Sequence, residues 1–192
     1  MISAVILANR ADQLTLERNI FLLVKGKPIL QWVLETVLAS NLDEIVCVTR
    51  ELRSVRKQIS IVSERLLWLA PGEGADAGVV AGLWATNPKS EGVLFLAGNH
   101  PLVRKELINA LVVRFCAGSA LIVAPSFGGK ARDPLLVHRD LFPELLQLSG
   151  KRSLHTLLQE YRNKVALVEW PDEIAFLDLD VREDFERIKE LA

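Results

Sequence analysis

Cysteine is scarce in this chain, with two in 192 residues. Two thiols build neither a disulfide framework nor a zinc site, whose ligands come at short, recurring spacings. Cys47, in a strand-like run, and Cys116, near a helix end, are expected to be small buried hydrophobes in a reducing compartment. Long apolar runs are missing too, and no stretch approaches the roughly 18 residues that a membrane span needs. The opening "MISAVILANR" has no basic n-region and no small-residue cleavage pattern, so a signal peptide is not expected. An excess of one charge is the third absence. Lys plus Arg total 23 against 24 Asp plus Glu, a formal net charge of −1, which sets up no field to gather nucleic acid. The expectation is a soluble, cytoplasmic protein that partners neither nucleic acid nor membrane.

What the chain does have is apolar mass. Half of its residues are hydrophobic, enough for a core covered on two faces, and the length fits one domain over residues 1–192. Short apolar runs at 2–8, 44–49, 66–70, 93–97, 119–125 and 134–138 read as strands. Ile29, Leu30, Val33, Leu34, Val37 and Leu38 repeat at helical spacing, with Pro28 suited to a first helical turn. Further helices are expected over 51–59, in the second part of 71–86, around 107–115, and near 140–147 and 153–162. "KVALVEW" and "AFLDLD" read as late strands, and 181–191 as a closing helix with Asp180 and Glu183 at capping-box spacing. Alternating strands and helices imply a mostly parallel sheet with helices on both faces.

One stretch combines a strand with polar chemistry. In "VLFLAGNHPLV" the apolar run Val93–Leu96 stops at Ala-Gly, then Asn99, His100 and Pro101 follow. The carboxyl ends of strands are where open α/β sheets place ligands. His100 offers a nitrogen suited to zinc, but His138 and His155 lie far away in sequence with no ligand spacing. A helix-entry residue before Pro101 is its other reading.

Several landmarks then coincide in order: "AVILA", "GKPIL", "LASNLDEIVCVT", "AGNHPLV", "DPLLVHRDLFPELLQLSGKRSLHTLL" and "FLDLDVREDFERI". Over residues 2–191 they resemble the MobA-like nucleotidyltransferase family, which contains the molybdenum-cofactor guanylyl- and cytidylyltransferases. The closing Asp-x-Asp-x-x-Glu-Asp, Asp178 to Asp184, is the most specific piece. The resemblance implies an α/β, three-layer Rossmann-like nucleotidyltransferase fold with a mostly parallel, mixed central sheet. It also implies transfer of a nucleotide monophosphate from GTP or CTP to the phosphate of a molybdopterin-type acceptor, with Mg2+, releasing pyrophosphate.

Site residues follow from the same resemblance. The loop after strand one, which in the family resembles "LAAGxSxRMGxxK", is here "LANRADQLTLERN". Ala8, Asn9, Arg10 and Asn19 fall at its nucleotide-binding positions, with Arg10 in place of the loop glycine and Asn19 in place of the lysine. Leu14 and Leu16 replace an arginine and a second glycine. Arg10, Asp12, Glu17 and Arg18 sum to no net charge, so the loop lacks what cradles a phosphate. Asn99 takes the place of the aspartate in a "GDxP"-like turn that binds magnesium; its amide oxygen brings no negative charge. Asp178 and Asp180 keep the carboxylates implied at the metal, and Asp180 also suits a helix N-cap. In "GEGADAGVVAGL", Gly74, Asp76 and Gly78 resemble the segment that approaches base and ribose, with Asp76 binding a hydroxyl or capping a helix. Lys130 and Arg132, in "GGKARDP", resemble an acceptor-side loop; Lys151 and Arg152 are a second basic pair.

Three functions are therefore in play. One is an active nucleotidyltransferase with Asn99, Asp178 and Asp180 as catalytic groups. Another is a catalytically inactive family member that binds a nucleotide, a pterin or a protein. A third is a transferase for another activated phosphate donor, such as a sugar nucleotide.

Overall fold

Apolar runs too short for helices, bounded by Gly, Pro or Asp, become the strands of one sheet. The computed structural model describes residues 1–8, 20–74, 76–148, 153–177, 187–188 and 190. In chain order the strands are β1 (Ile2–Leu7), β2 (Leu23–Val24), β3 (Lys27–Pro28), β4 (Glu44–Val48), β5 (Leu66–Leu69) and β6 (Gly92–Ala97). They continue with β7 (Ile122–Phe127), β8 (Lys130–Ala131), β9 (Leu135–His138) and β10 (Val165–Glu169). The helices are α1 (Ile29–Leu38), α2 (Leu52–Gln58), α3 (Ala77–Ala85), α4 (Lys105–Cys116), α5 (Phe142–Leu145) and α6 (Leu154–Glu160).

Among the described residues the main sheet has the order β10-β7-β9-β6-β1-β4-β5, with β8 paired to β7 outside that path. Pairing is parallel between β6, β1, β4 and β5 and between β7 and β10, whereas β9 runs antiparallel to both of its neighbours. This is the expected α/β architecture: a mixed, largely parallel sheet with a helix layer on each face.

Burial on both faces explains the nearly unbroken apolar runs. Along β1, Ile2, Ala4 and Ile6 pack with α1 and α4 through Leu30, Leu34, Leu107 and Leu111. Val5 points the other way, to Val79 and Leu83 of α3 and to Leu145 and Leu157. Each such Ile, Leu or Val side chain contributes about 1.5–3 kcal/mol on burial. Helix α3 sits close on the sheet because it presents Gly82 to it; a Cβ there would lie 2.3 Å from Val5 Cγ1 and 3.1 Å from Val48 Cγ2. No described helix is long and apolar enough to cross a membrane.

The structure corrects several local expectations. Cys47 is buried, which pushes its thiol pKa up and keeps it unreactive, but Cys116 is exposed at the end of α4. Pro28 is the N-cap of α1 rather than part of its first turn, and closes a small β2–β3 hairpin that no apolar run marked. The hairpin turns through Lys25 and Gly26, both at positive φ. Ala175 and Phe176 lie in a 3-10 turn, Glu173–Phe176, instead of a strand. Asp172 caps that turn by accepting from the Ile174 N–H at 2.9 Å. The seventh strand starts later than expected, at Ile122, and runs to Phe127. The Asp180–Glu183 capping box lies outside the described residues.

Candidate active site

Strand order locates the crevice. From β1 the chain winds outward through β4 to β5, then α3 carries it back across to β6 on the other side of β1. Connections that diverge from one strand open a gap at its carboxyl end. Ala8 stands there, buried, its N–H donating to Val48 O at 2.9 Å.

One wall of the gap is the turn after β6. Gly98 N–H donates to Leu7 O at 3.0 Å, drawing the two chain segments together. A Cβ on Gly98 would lie 3.1 Å from Ala8 Cβ and 3.2 Å from Ala8 Cα, so glycine suits this approach. Asn99 follows with its amide oxygen buried, then His100, also buried. His138 stands at the opposite end of the sheet, paired across from Gly92 at the start of β6. His138 is thus no partner for His100, and among the described residues no group of three His, Cys, Asp or Glu could hold a zinc ion.

The other wall is the β5–α3 loop. Arg50, just past β4, donates from Nη2 to Gly72 O at 3.3 Å and ties the loop to the sheet. Gly74 adopts φ +112°, which favours glycine. Asp76 occupies the N-cap position of α3, and its backbone carbonyl accepts from Val79 and Val80. Its side chain makes no cap bond. Instead Oδ2 is buried and accepts no hydrogen bond from any described residue. Gly78 is buried two residues on.

Farther along the same edge, Gly128 and Gly129 at positive φ turn β7 into β8 and present Lys130 and Arg132. Lys130 is exposed; Arg132 is half-buried, with Nε shielded from solvent and donating to no described residue. Asp133 Oδ2 lies 3.4 Å from His155 Nε2 on α6, and this hydrogen bond raises the histidine pKa above its ordinary value. On the opposite side of β7, Ser126 Oγ donates to Glu169 Oε2 at 2.5 Å, next to Trp170.

The edge thus gathers Ala8, Asn99, Asp76 and Gly74 around the switch point, with Lys130 and Arg132 along the same side. Asn9, Arg10, Asn19, Asp178 and Asp180 lie outside the described residues, as do Leu14, Leu16, Lys151 and Arg152. Arg50, Ser126, Glu169 and Trp170 carried no sequence signal: each is marked only by its place at a strand end. A cleft of about 520 Å³ lies between α1 and the start of α4, bordered by Trp32, Glu35, Pro101 and Arg104. Its two acids each have a lysine beside them, Glu35 with Lys27 at 2.6 Å and Glu106 with Lys105 at 3.9 Å, so the chemistry points to the strand ends instead.

Comparison with known proteins agrees with this architecture. Residues 5–165 match the model of the MobA-like NTP transferase domain. The 3-deoxy-manno-octulosonate cytidylyltransferase of Synechococcus elongatus is 33% identical over 119 residues, 61% of this chain and 48% of that protein. The chain spans about half the length of the curated relatives it matches. Among solved structures, Rv0371c of Mycobacterium tuberculosis H37Rv superposes with a TM-score of 0.82 at 21% identity, over 98% of this chain and 97% of that one. Its manganese complex gives 0.79 at 19% identity, over 98% and 97% of the two chains. A Methanothermobacter nucleotidyl transferase gives 0.81 at 18% identity, covering 100% of this chain and 97% of that one. At such identities the likeness is one of fold. With the match spanning residues 5–165 and the crevice at the expected strand ends, the chain belongs to the MobA-like NTP transferase domain family.

Proposed function

We propose that the protein binds a nucleoside triphosphate at the carboxyl edge and transfers its nucleotide monophosphate to an oxyanion-bearing small acceptor. The observation that carries this reading is Asp76 Oδ2, a buried carboxylate oxygen that accepts no hydrogen bond from a described residue. Leaving such an acceptor unmade costs about 1–3 kcal/mol, which a ligand hydroxyl recovers. A ribose hydroxyl is the matching donor. In this reading Gly74, with open space where a Cβ would stand, lets the ligand approach the backbone, Ala8 and Gly78 belong to the same site, and Asn99 stands in the turn that forms its other wall.

In the transfer, an acceptor oxygen forms a bond to the α-phosphorus while the α–β phosphoanhydride bond breaks and pyrophosphate leaves. An acceptor phosphate is already ionised and needs no general base, whereas a sugar-acid hydroxyl gives up its proton to solvent or to the departing pyrophosphate; in both cases positioning and charge carry the rate. Magnesium belongs to this proposal, with Asp178 and Asp180 as carboxylate ligands. Among the described residues no group of three His, Cys, Asp or Glu could hold a metal, so those two carboxylates and the phosphates would supply the charge. Asn9, Arg10 and Asn19 belong to the same donor site. CTP is the first donor to test, because the curated relatives are cytidylyltransferases. A molybdopterin-type phosphate and a sugar acid are the two acceptors to try.

A second reading is a binding module without turnover. Asn99 favours it, since an amide stands where the family resemblance places a metal carboxylate. Calorimetric titration with CTP, GTP and ATP, each with and without magnesium, separates the two when paired with a pyrophosphate-release assay. Magnesium-dependent binding with pyrophosphate release on adding acceptor is the expected outcome. Binding without release under any acceptor would assign a nucleotide-binding module, and no binding of any triphosphate would overturn the transferase and leave a module for a pterin or a protein.

A further inference from the structure

Arg132 and Trp170 reach the same face of the sheet from opposite sides of β7. On one side Glu169 pairs with Ser126, and Trp170 N–H donates to Ser126 O at 2.8 Å. On the other side Ala131 pairs with Ser126, and Arg132 N–H donates to Pro125 O at 2.8 Å. Side chains alternate between faces along a strand. Pro125, Phe127, Lys130, Arg132, Val168 and Trp170 therefore share a face, and Val168 and Trp170 pack there against the core beneath α4. Strand spacing puts the Arg132 and Trp170 backbones roughly 10–12 Å apart, with two long side chains to close the distance.

The two carry the same defect. Arg132 Nε and Trp170 Nε1 are buried, and neither donates to a described residue. Buried N–H groups are nearly always satisfied, so two orphaned donors on one face call for an acceptor from outside. The acids next to them in sequence are committed elsewhere: Glu169 to Ser126 at 2.5 Å and Asp133 to His155 at 3.4 Å. Both orphans are donors, one belongs to a guanidinium, and Lys130 adds a second cation on the same face. That combination selects an oxyanion, because a carboxylate or phosphate is rich in acceptors and brings compensating charge.

We infer that Arg132 and Trp170 form an oxyanion subsite for the acceptor, with the Trp170 indole as a specificity-determining donor. The inference rests on the transferase reading for the word acceptor, but the subsite can be tested by binding alone. The full chain contains four tryptophans, each with one indole N–H resonance in a nitrogen–proton correlation spectrum, and Trp170→Phe assigns the one that matters. The probes are glucose 6-phosphate, a phosphate monoester, and gluconate, a carboxylate of similar size, each with and without CTP and magnesium.

The expected result is a saturable downfield shift of the Trp170 indole resonance, with the other three nearly still. Saturation by glucose 6-phosphate alone identifies a phosphate subsite, and by gluconate alone a carboxylate subsite. Arg132→Gln should weaken that affinity roughly tenfold, the loss of one charge-assisted hydrogen bond. A Trp170 resonance that moves with neither probe under any condition overturns the inference. So does an affinity unchanged by Arg132→Gln in a chain whose other resonances show it folded. Saturable binding without any triphosphate binding would keep the subsite and remove the transferase reading; triphosphate binding without it would do the reverse.

Discussion

The two ends of the central sheet are built from similar residues and finished differently. At the amino end the polar groups close on one another. Asp43 accepts from the Ile2 N–H at 2.7 Å, and Glu44 accepts from Ser3 Oγ at 2.8 Å and from the Asn87 N–H at 2.9 Å. Ser3 and Ser90, both fully buried, share a hydrogen bond of 2.5 Å. At the carboxyl end, Ser126 and Glu169 close in the same way, but Asp76 Oδ2, Arg132 Nε and Trp170 Nε1 stay buried without a described partner. Folding alone selects for the first arrangement. The second costs stability, and groups kept at such a cost are the mark of a site whose partner is a ligand.

The contrast can be broken at either end. Gly82→Ala should have the largest effect, because its Cβ would sit 2.3 Å from Val5 Cγ1 and α3 would have to lift off the sheet. We expect a loss of about 1–3 kcal/mol, read by chemical denaturation. Since Asp76 begins α3, CTP affinity should fall with it. Glu44→Ala comes next: it removes one acceptor from a closed network, and stability should fall by about 1–2 kcal/mol with CTP affinity unchanged. A change in CTP affinity there would show that the two ends are not separable. The smallest effect concerns His155. Asp133 holds its imidazolium, so its titration midpoint by proton NMR should lie above the ordinary 6.5 and return toward it in Asp133→Asn. The sign follows from the raised folded-state value: the contribution is complete below the unfolded pKa and is lost as pH rises through the folded one. With the side chain 63% exposed, its stability effect should be close to undetectable.

The core was legible because its signal is local. Val93–Leu96 and Ile2–Leu7 read as doubly covered strands from composition alone, and the Ile29–Leu38 repeat gave α1 from periodicity. The β8 strand and the β2–β3 hairpin were not, being two-residue pairings without an apolar pattern. Exposure of Cys116 depends on which way α4 faces at its last turn, which cysteine itself does not encode. At the site, Asp76 and Arg132 were visible through neighbouring glycines that demand a turn. Whether Asp76 caps a helix or faces a ligand is decided by a side-chain direction that the sequence does not state. Trp170 was hidden entirely: an indole after an apolar strand reads as core, and only the missing acceptor sets it apart.

Asp76→Ala tests the central claim most directly when melting temperature and CTP affinity are measured on the same preparation. If the buried carboxylate oxygen is kept for a ligand, removing it relieves a cost in the free protein and deprives the nucleotide of a partner. The expected result is a melting temperature that holds or rises by about 2–4 °C, the equivalent of about 1 kcal/mol, while calorimetry shows CTP affinity falling roughly tenfold. A variant that melts lower and binds CTP as tightly as the parent chain would contradict it, and would return Asp76 to a purely structural role.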